Sequence, residues 1–280
     1  LVVAYRLLAT TVPGGLELEA IDVDRTFGAD LVAASEAYER VPLALWVGSK
    51  LALLAGLWLY ARRGAVMLRE SAAGPIGSGM LLGMLGFALM WAIQQPFGLV
   101  LLWWDRRHGV SEVAYWEWAV GGWVELTAAF VSVCAALLIV MALARWLGDW
   151  WWLPGATAFT AIAFGFALTA PLLTESSLER PDDAKLVATY ERLASAQGVA
   201  DVPLRIETVS GDTSQANAYA FGVAWTRKIV LWDTLVDGRF SDGEVAVVLA
   251  HELGHQAGRH IAKALAWFAL FAVPGSWFLM

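Results

Sequence analysis

"EVAVVLAHELGHQAGRH", residues 244–260, puts three of the chain's four histidines within ten residues, behind an apolar run and around a glutamate. His251 and His255 are four residues apart, so on a helix their imidazoles project from one face, a turn apart. Such a pair can offer one neutral nitrogen each to a single Zn²⁺ at about 2.0–2.1 Å. Glu252 stands next to the first histidine, placed to take a proton from a water activated by the metal without being a ligand itself. Ser241 and Glu244 supply the S-x-x-E pattern that opens such a helix. The competing reading is ordinary surface histidines on an amphipathic helix, which predicts no particular neighbours. Here "EVAVVLA" makes the helix strongly apolar and is expected to bury the imidazoles, at a cost unless they bind something. A metal centre is therefore expected.

Two histidines do not complete a catalytic zinc site, which takes three protein ligands and keeps one position open. His260 tempts as the third, since Gly258 falls where the pattern H-E-x-x-H-x-x-G-x-x-H places its glycine, but the last histidine comes one residue early. On an unbroken helix it stands roughly 180° from His251, at about 100° per residue. It reads as a surface residue, and the third ligand is expected downstream of Met280. Both ends look cut: "LVVAYRLLA" reads as the tail of an apolar helix, and "ALAWFALFAVPGSWFLM" stops inside a hydrophobic run.

The rest of the chain is built for lipid. Of 280 residues, 59% are hydrophobic and 16% charged, against about 25% charged in an ordinary soluble domain. Sixteen tryptophans are present, and Trp103, Trp104, Trp116, Trp118, Trp146 and Trp150–Trp152 flank apolar runs, as indoles at headgroup level do. A net charge of −7 argues against a nucleic-acid partner. The lone Cys134 permits neither a disulfide framework nor a cysteine zinc site. Runs at 43–61, 79–104, 119–147 and 150–173 have the length of about 20 apolar residues that a bilayer asks for. With a partial first span and the start of another at 264–280, they make six helices, two of them incomplete. Pro96 in "QQPFG" is expected to kink its span, with Gln94 and Gln95 satisfying the backbone it frees. Lys50 and Glu125 are ionisable groups inside spans, which either face a wet interior or pair locally. Segment 13–42 is too polar to span, and 62–78 reads as a loop.

Residues 174–263 are the one sizeable polar region. "RPDDAKLVATYERLASAQG" reads as an amphipathic helix with Pro181 at its start, acids in the first turn and Gly198 at its end. Short strands follow at 204–209, 217–223 and 228–233, with "SGDTSQ" as a turn. The order is helix, small sheet, histidine-bearing helix.

Three stretches in order, "NAYAFG" at 217–222, "RKIVLWDTLV" at 227–236 and "EVAVVLAHELGH" at 244–255, resemble the M48 zinc metalloproteases, and within them the integral-membrane CAAX prenyl protease 1 (Ste24-like) group. "RHG" at 107–109 and "YERLASAQGV" at 190–199 resemble further family segments. The resemblance implies His251 and His255 as zinc ligands and Glu252 as general base. It makes Asn217, Ala218 and Tyr219 the edge to which an extended substrate adds, and it puts the third ligand, a glutamate, on a later helix. It also implies a mainly α, polytopic membrane protein whose helices enclose a water-filled chamber, with a small α+β zincin-like catalytic domain.

The domains expected are membrane helices over 1–173, a zinc metalloprotease domain over 174–263 and a further span from 264. The function expected is integral-membrane zinc endopeptidase, cutting a peptide or protein substrate in CAAX-like processing or membrane quality control, with membrane lipid as the other partner. The rival is a catalytically inactive zinc-binding membrane scaffold of the same fold. Glu252 argues against it, because a purely structural site needs no base beside its ligand. A transporter with an incidental H-E-x-x-H would lack the "NAYAFG" strand. Arg62, Arg63 and Arg69 oppose Arg106 and Arg107 in setting the topology, and the resemblance turns the zinc domain toward the cytoplasm.

Overall fold

The computed structural model describes residues 21–70 and 74–279; the apolar stub at the start of the chain and the side chain of Glu125 lie outside the described residues. A short helix, α1 (Val23–Phe27), precedes four long ones: α2 (Ala29–Glu70), α3 (Gly74–Arg107), α4 (Tyr115–Leu147) and α5 (Trp152–Leu173). Then come β1 (Leu178–Glu179), α6 (Ala184–Ala196), β2 (Leu204–Glu207), β3 (Ala218–Phe221), β4 (Lys228–Trp232), α7 (Asp242–Ala257) and α8 (His260–Phe278). Among the described residues five stretches are long and apolar enough to cross a bilayer: Ala29–Arg63, Gly77–Arg107, Tyr115–Trp150, Trp152–Ser177 and His260–Phe278. No more than 17% of the most apolar window of any of them is buried inside the protein. Side chains such as Trp46, Leu54, Trp58, Val124 and Phe166 stand exposed instead, which hydrocarbon accepts and water does not. The protein is a multi-pass integral membrane protein.

The helices overrun the apolar stretches that mark them. The polar segment before residue 43 is already helical from Ala29, with Pro42 inside the helix, and the segment read as a loop after 61 stays helical to Glu70. Hydropathy reports the part of a helix that needs lipid, about 30 Å, while the hydrogen-bond ladder continues as long as the residues tolerate it.

The described chain divides into two compact units. In one, which holds 21–109 and 113–142, α2 and α3 approach closely through small residues. Gly48 lies against Phe97, Gly56 against Ile93 and Gly86 against Tyr60, and a Cβ at any of the three would press on its neighbour, the usual device for packing helices without a hydrophobic drive. Gln94 donates to the Ser49 carbonyl and Gln95 to the Trp91 carbonyl, each at 3.3 Å. Lys50 lies 5.9 Å from the Trp46 ring centroid. His108 of "RHG" donates to the Trp104 carbonyl at 2.8 Å and packs its ring on Trp104 and Tyr38, closing the end of α3.

The other unit, 110–112 and 143–279, carries the sheet. Its strand order is β1-β2-β4-β3, with β2 and β4 parallel and both outer pairings antiparallel. The central β4 is buried on both faces, and Ile229, Val230 and Leu231 have no exposed surface. Alternation sends Leu204, Ile229, Leu231 and Ala218 to one face, where they join Tyr190 and Ala194 of α6 and Val245, Leu249 and Leu253 of α7 in one core. Asp183 caps α6, its carboxylate accepting from the amides of Lys185 at 2.8 Å and Leu186 at 3.3 Å. The acids of "RPDD" therefore precede the helix instead of filling its first turn. Gly198, at φ +70°, closes it in the left-handed conformation that glycine favours. The two-residue β1 has too few positions to show a period in the sequence. It sits just past α5, where Glu175 bonds both Arg205 and the buried Lys228, tying the end of a span to the sheet.

Candidate metal centre

Helix α7 is fixed at its start and along its inner face. Ser241 caps it through a reciprocal box: its Oγ accepts from the Glu244 amide at 3.4 Å, and the Glu244 carboxylate accepts from the Ser241 amide at 2.8 Å. The Ser241 hydroxyl and amide hold the Glu244 carboxyl below the usual carboxylate range. Leu249 and Leu253 are fully buried, each contributing about 1.5–3 kcal/mol of apolar burial. Gln256 sits at the other end of this face, 4% exposed. Its Nε2 donates to the carbonyls of Phe221 at 3.1 Å and Lys228 at 3.3 Å, locking the helix onto the β3–β4 end of the sheet. Gln256→Leu leaves those carbonyls without this donor and is expected to destabilise the unit by about 1–3 kcal/mol. A thermal melt of the detergent-solubilised variant that matches the parent would contradict this.

The core face decides where the histidines go. With Leu249 and Leu253 inward, His251 and His255 fall on the opposite side, so His251 is exposed and His255 half-buried. The expectation that an apolar helix would bury them fails because only the stripe of Val245, Leu249 and Leu253 meets the core, while Val247, on the histidine face, is itself exposed. What singles the pair out is its geometry. His251 Nε2 and His255 Nε2 face each other at 3.1 Å. Two nitrogens bound to one zinc at tetrahedral angles stand about 3.3 Å apart, given bonds of about 2.05 Å. Two unprotonated Nε2 atoms this close repel unless a proton or a cation lies between them. The donor atoms of His251, Glu252 and His255 all lie within 4.8 Å of one another, and no other group of donors of that size occurs among the described residues. The donor set fits a metal ion.

His260 is not where an unbroken helix would put it. Helix α7 stops at Ala257, Arg259 takes left-handed backbone angles (φ 51°, ψ 42°), and α8 begins at His260. A left-handed non-glycine residue costs about 1–2 kcal/mol. The break swings His260 back, and its Nδ1 lies 2.8 Å from Nδ1 of His255. His260 is exposed, as a surface residue is, but it does not stand on the far side of the helix from His251, because a one-residue break invalidates rotation counted at 100° per residue.

The segment 217–219 lies at the open edge of the sheet. The Trp232 amide donates to the Asn217 carbonyl at 3.0 Å, so in an antiparallel pair Asn217, Tyr219 and Phe221 turn their backbone groups toward β4. Ala218 and Ala220 turn theirs outward. On the face away from α7, Glu207 accepts from the Tyr219 hydroxyl at 3.0 Å and the Trp232 indole at 2.9 Å. Burial, and next the Glu207 carboxylate, push the Tyr219 phenol well up. Gly222 ends the strand at φ +82°, where a Cβ would meet the Thr226 carbonyl, so glycine is required there. The fitted helix, its capping box and its edge strand were visible as motifs. The outward register of Ala220 within "NAYAFG" and the role of Gln256 were not, since neither carries a chemical signature. Two cavities of the unit do not include the centre's histidines. One, of about 360 Å³, lies at the starts of α6 and α7, lined by Arg180, Asp183, Lys185 and Asp242. The other, of about 410 Å³, is lined by Gly222, Arg227, Gln256 and Arg259.

Residues 181–278 match peptidase family M48. CAAX prenyl protease 1 of Saccharomyces cerevisiae is 37% identical over 90 residues, which are 32% of this chain and 20% of the yeast protein. A CAAX prenyl protease 1 homolog of Arabidopsis thaliana is 27% identical over 161 residues, 56% of this chain and 38% of that protein. An uncharacterized metalloprotease of Bacillus subtilis is 34% identical over 67 residues, 24% of this chain and 16% of its own length. The chain thus spans well under half of each of these relatives. The crystal structure of Ste24p from S. mikatae shares the fold, with a TM-score of 0.71 at 21% identity over 97% of this chain and 67% of that one. The facing histidines, the H-E-x-x-H spacing, the family match and the shared helical fold lead to one conclusion: residues 181–278 carry an M48 peptidase domain, in a membrane-spanning chain that is similar to the CAAX prenyl proteases and shares the fold of Ste24p.

Proposed function

We propose that the chain is an integral-membrane zinc endopeptidase that hydrolyses a peptide bond in an extended segment of a protein substrate. The observation that carries this reading is the pair of facing imidazoles, His251 and His255, beside Glu252 on a helix bonded to an open edge strand. His251 and His255 hold the zinc through Nε2. When bound, zinc polarises the scissile carbonyl and makes water acidic enough to ionise near neutral pH. The Glu252 carboxylate takes the proton of the attacking water and passes it to the leaving amine. Backbone groups of Ala218 and Ala220 receive the substrate as an added strand, with Asn217 and Tyr219 holding β3 to the sheet from its other side. In this reading residues 174–263 form the zinc domain, facing the cytoplasm, with membrane helices before it and a further span in α8. Substrates of CAAX type, and membrane proteins cleared for quality control, both offer such extended segments. An inactive zinc scaffold has no use for a carboxylate beside its ligands.

The edge strand gives a test separate from the metal. Ala220→Pro removes an amide that points away from β4, a position where an edge strand tolerates proline. Losing one backbone hydrogen bond to the substrate is expected to cost about 0.5–1.5 kcal/mol, read as a KM several-fold higher for peptide cleavage in liposomes. An unchanged KM in a folded Ala220→Pro protein would show that substrate does not pair with this edge.

A further inference from the structure

We infer that His260 is a positioning residue for the metal centre: it accepts the Nδ1 proton of His255 and so keeps Nε2 of His255 free to bind the metal. The inference rests on the reading of His251 and His255 as metal ligands. An imidazole that binds through Nε2 must carry its proton on Nδ1, and the partner of that proton fixes both the tautomer and the ring's orientation. Here the partner is the Nδ1 atom of His260 at 2.8 Å, with the two rings nearly perpendicular at 83°. The outer ring faces the far side of His255, while His251 faces its Nε2 at 3.1 Å. One imidazole therefore has a donor position on each side, and only one of them belongs to the group of close donors with Glu252.

Three local features serve this one contact. Five residues along a continuous helix, His260 would lie roughly 140° around the axis from His255 and could not reach it. The left-handed Arg259 breaks the helix directly before His260, between Ala257 and the start of α8. Gly258 makes room, since a Cβ there would stand 2.5 Å from Nε2 and 2.9 Å from Cδ2 of the His260 ring. A break that served only to turn the chain into α8 would need neither the imidazole at 260 nor the bare glycine beneath it.

The test uses the full chain in detergent or nanodiscs, with zinc affinity measured by competition against a chromophoric chelator and with Co²⁺ in place of zinc for its visible spectrum. His260→Ala and His260→Phe are expected to weaken zinc about 10- to 100-fold, the usual effect of losing an outer partner of a ligating histidine. His260→Asn places an amide oxygen near the lost Nδ1 and is expected to restore most of the affinity. The Co²⁺ band should keep its four-coordinate intensity in every variant. Parent-like affinity in both His260→Ala and His260→Phe would overturn the inference alone, and so would His260→Asn binding as weakly as His260→Ala. A Co²⁺ spectrum showing a lost ligand in His260→Ala would make His260 a ligand and overturn it too. A parent that binds no zinc would instead sink the metal centre on which the inference stands.

Discussion

Glu252→Gln is expected to leave the zinc and the fold in place and to lower peptide cleavage by about 10²–10⁴-fold, the range for loss of a positioned general base. The amide is nearly the same size as the carboxylate, so the half-buried position on α7 is not disturbed. It cannot accept a proton, so the water attacking the carbonyl loses its base while the metal keeps both imidazoles. The loss should appear in kcat, since on the proposed reading substrate is held by the edge of β3 and not by this side chain. Cleavage by Glu252→Gln at near the parent rate would remove the carboxylate from the mechanism and favour the scaffold over the enzyme.

What the sequence shows and what it hides follow from the range of the interactions involved. The i, i+4 spacing of His251 and His255, the Ser241–Glu244 box and the short β-like run "KIVLW" are local, and each appears in the structure where its pattern lies. The apolar spans are legible for the same reason, since a bilayer selects composition over a fixed length. Helix ends outside the lipid are not, because Ala29–Leu43 and Arg62–Glu70 carry no signal that distinguishes a polar helix from a polar loop. The exposure of His251 depends on which stripe of α7 faces the sheet, a tertiary choice made by Leu249 and Leu253. The position of His260 depends on one left-handed residue, and arginine gives no warning of it, unlike the glycine or asparagine that usually takes such angles. Ala220 is chosen by register alone: its backbone faces outward because Asn217 pairs with Trp232.

The second large effect concerns the ligands themselves. His251→Ala or His255→Ala removes one of two facing nitrogens and leaves the other with a carboxylate and solvent, so either change is expected to release most of the zinc and with it the cleavage activity. The two should act as a unit, the double substitution costing little more than either single one, because one imidazole holds the metal poorly. The fold should survive, since both side chains lie on the face of α7 away from the core.

The most direct measurement is therefore the zinc content per chain of the purified protein, by elemental analysis, in the parent, in Glu252→Gln and in the double variant His251→Ala/His255→Ala. The expected result is one zinc per chain in the first two and essentially none in the third. One zinc per chain in the double variant would place the metal elsewhere and contradict the assignment of the centre to this helix.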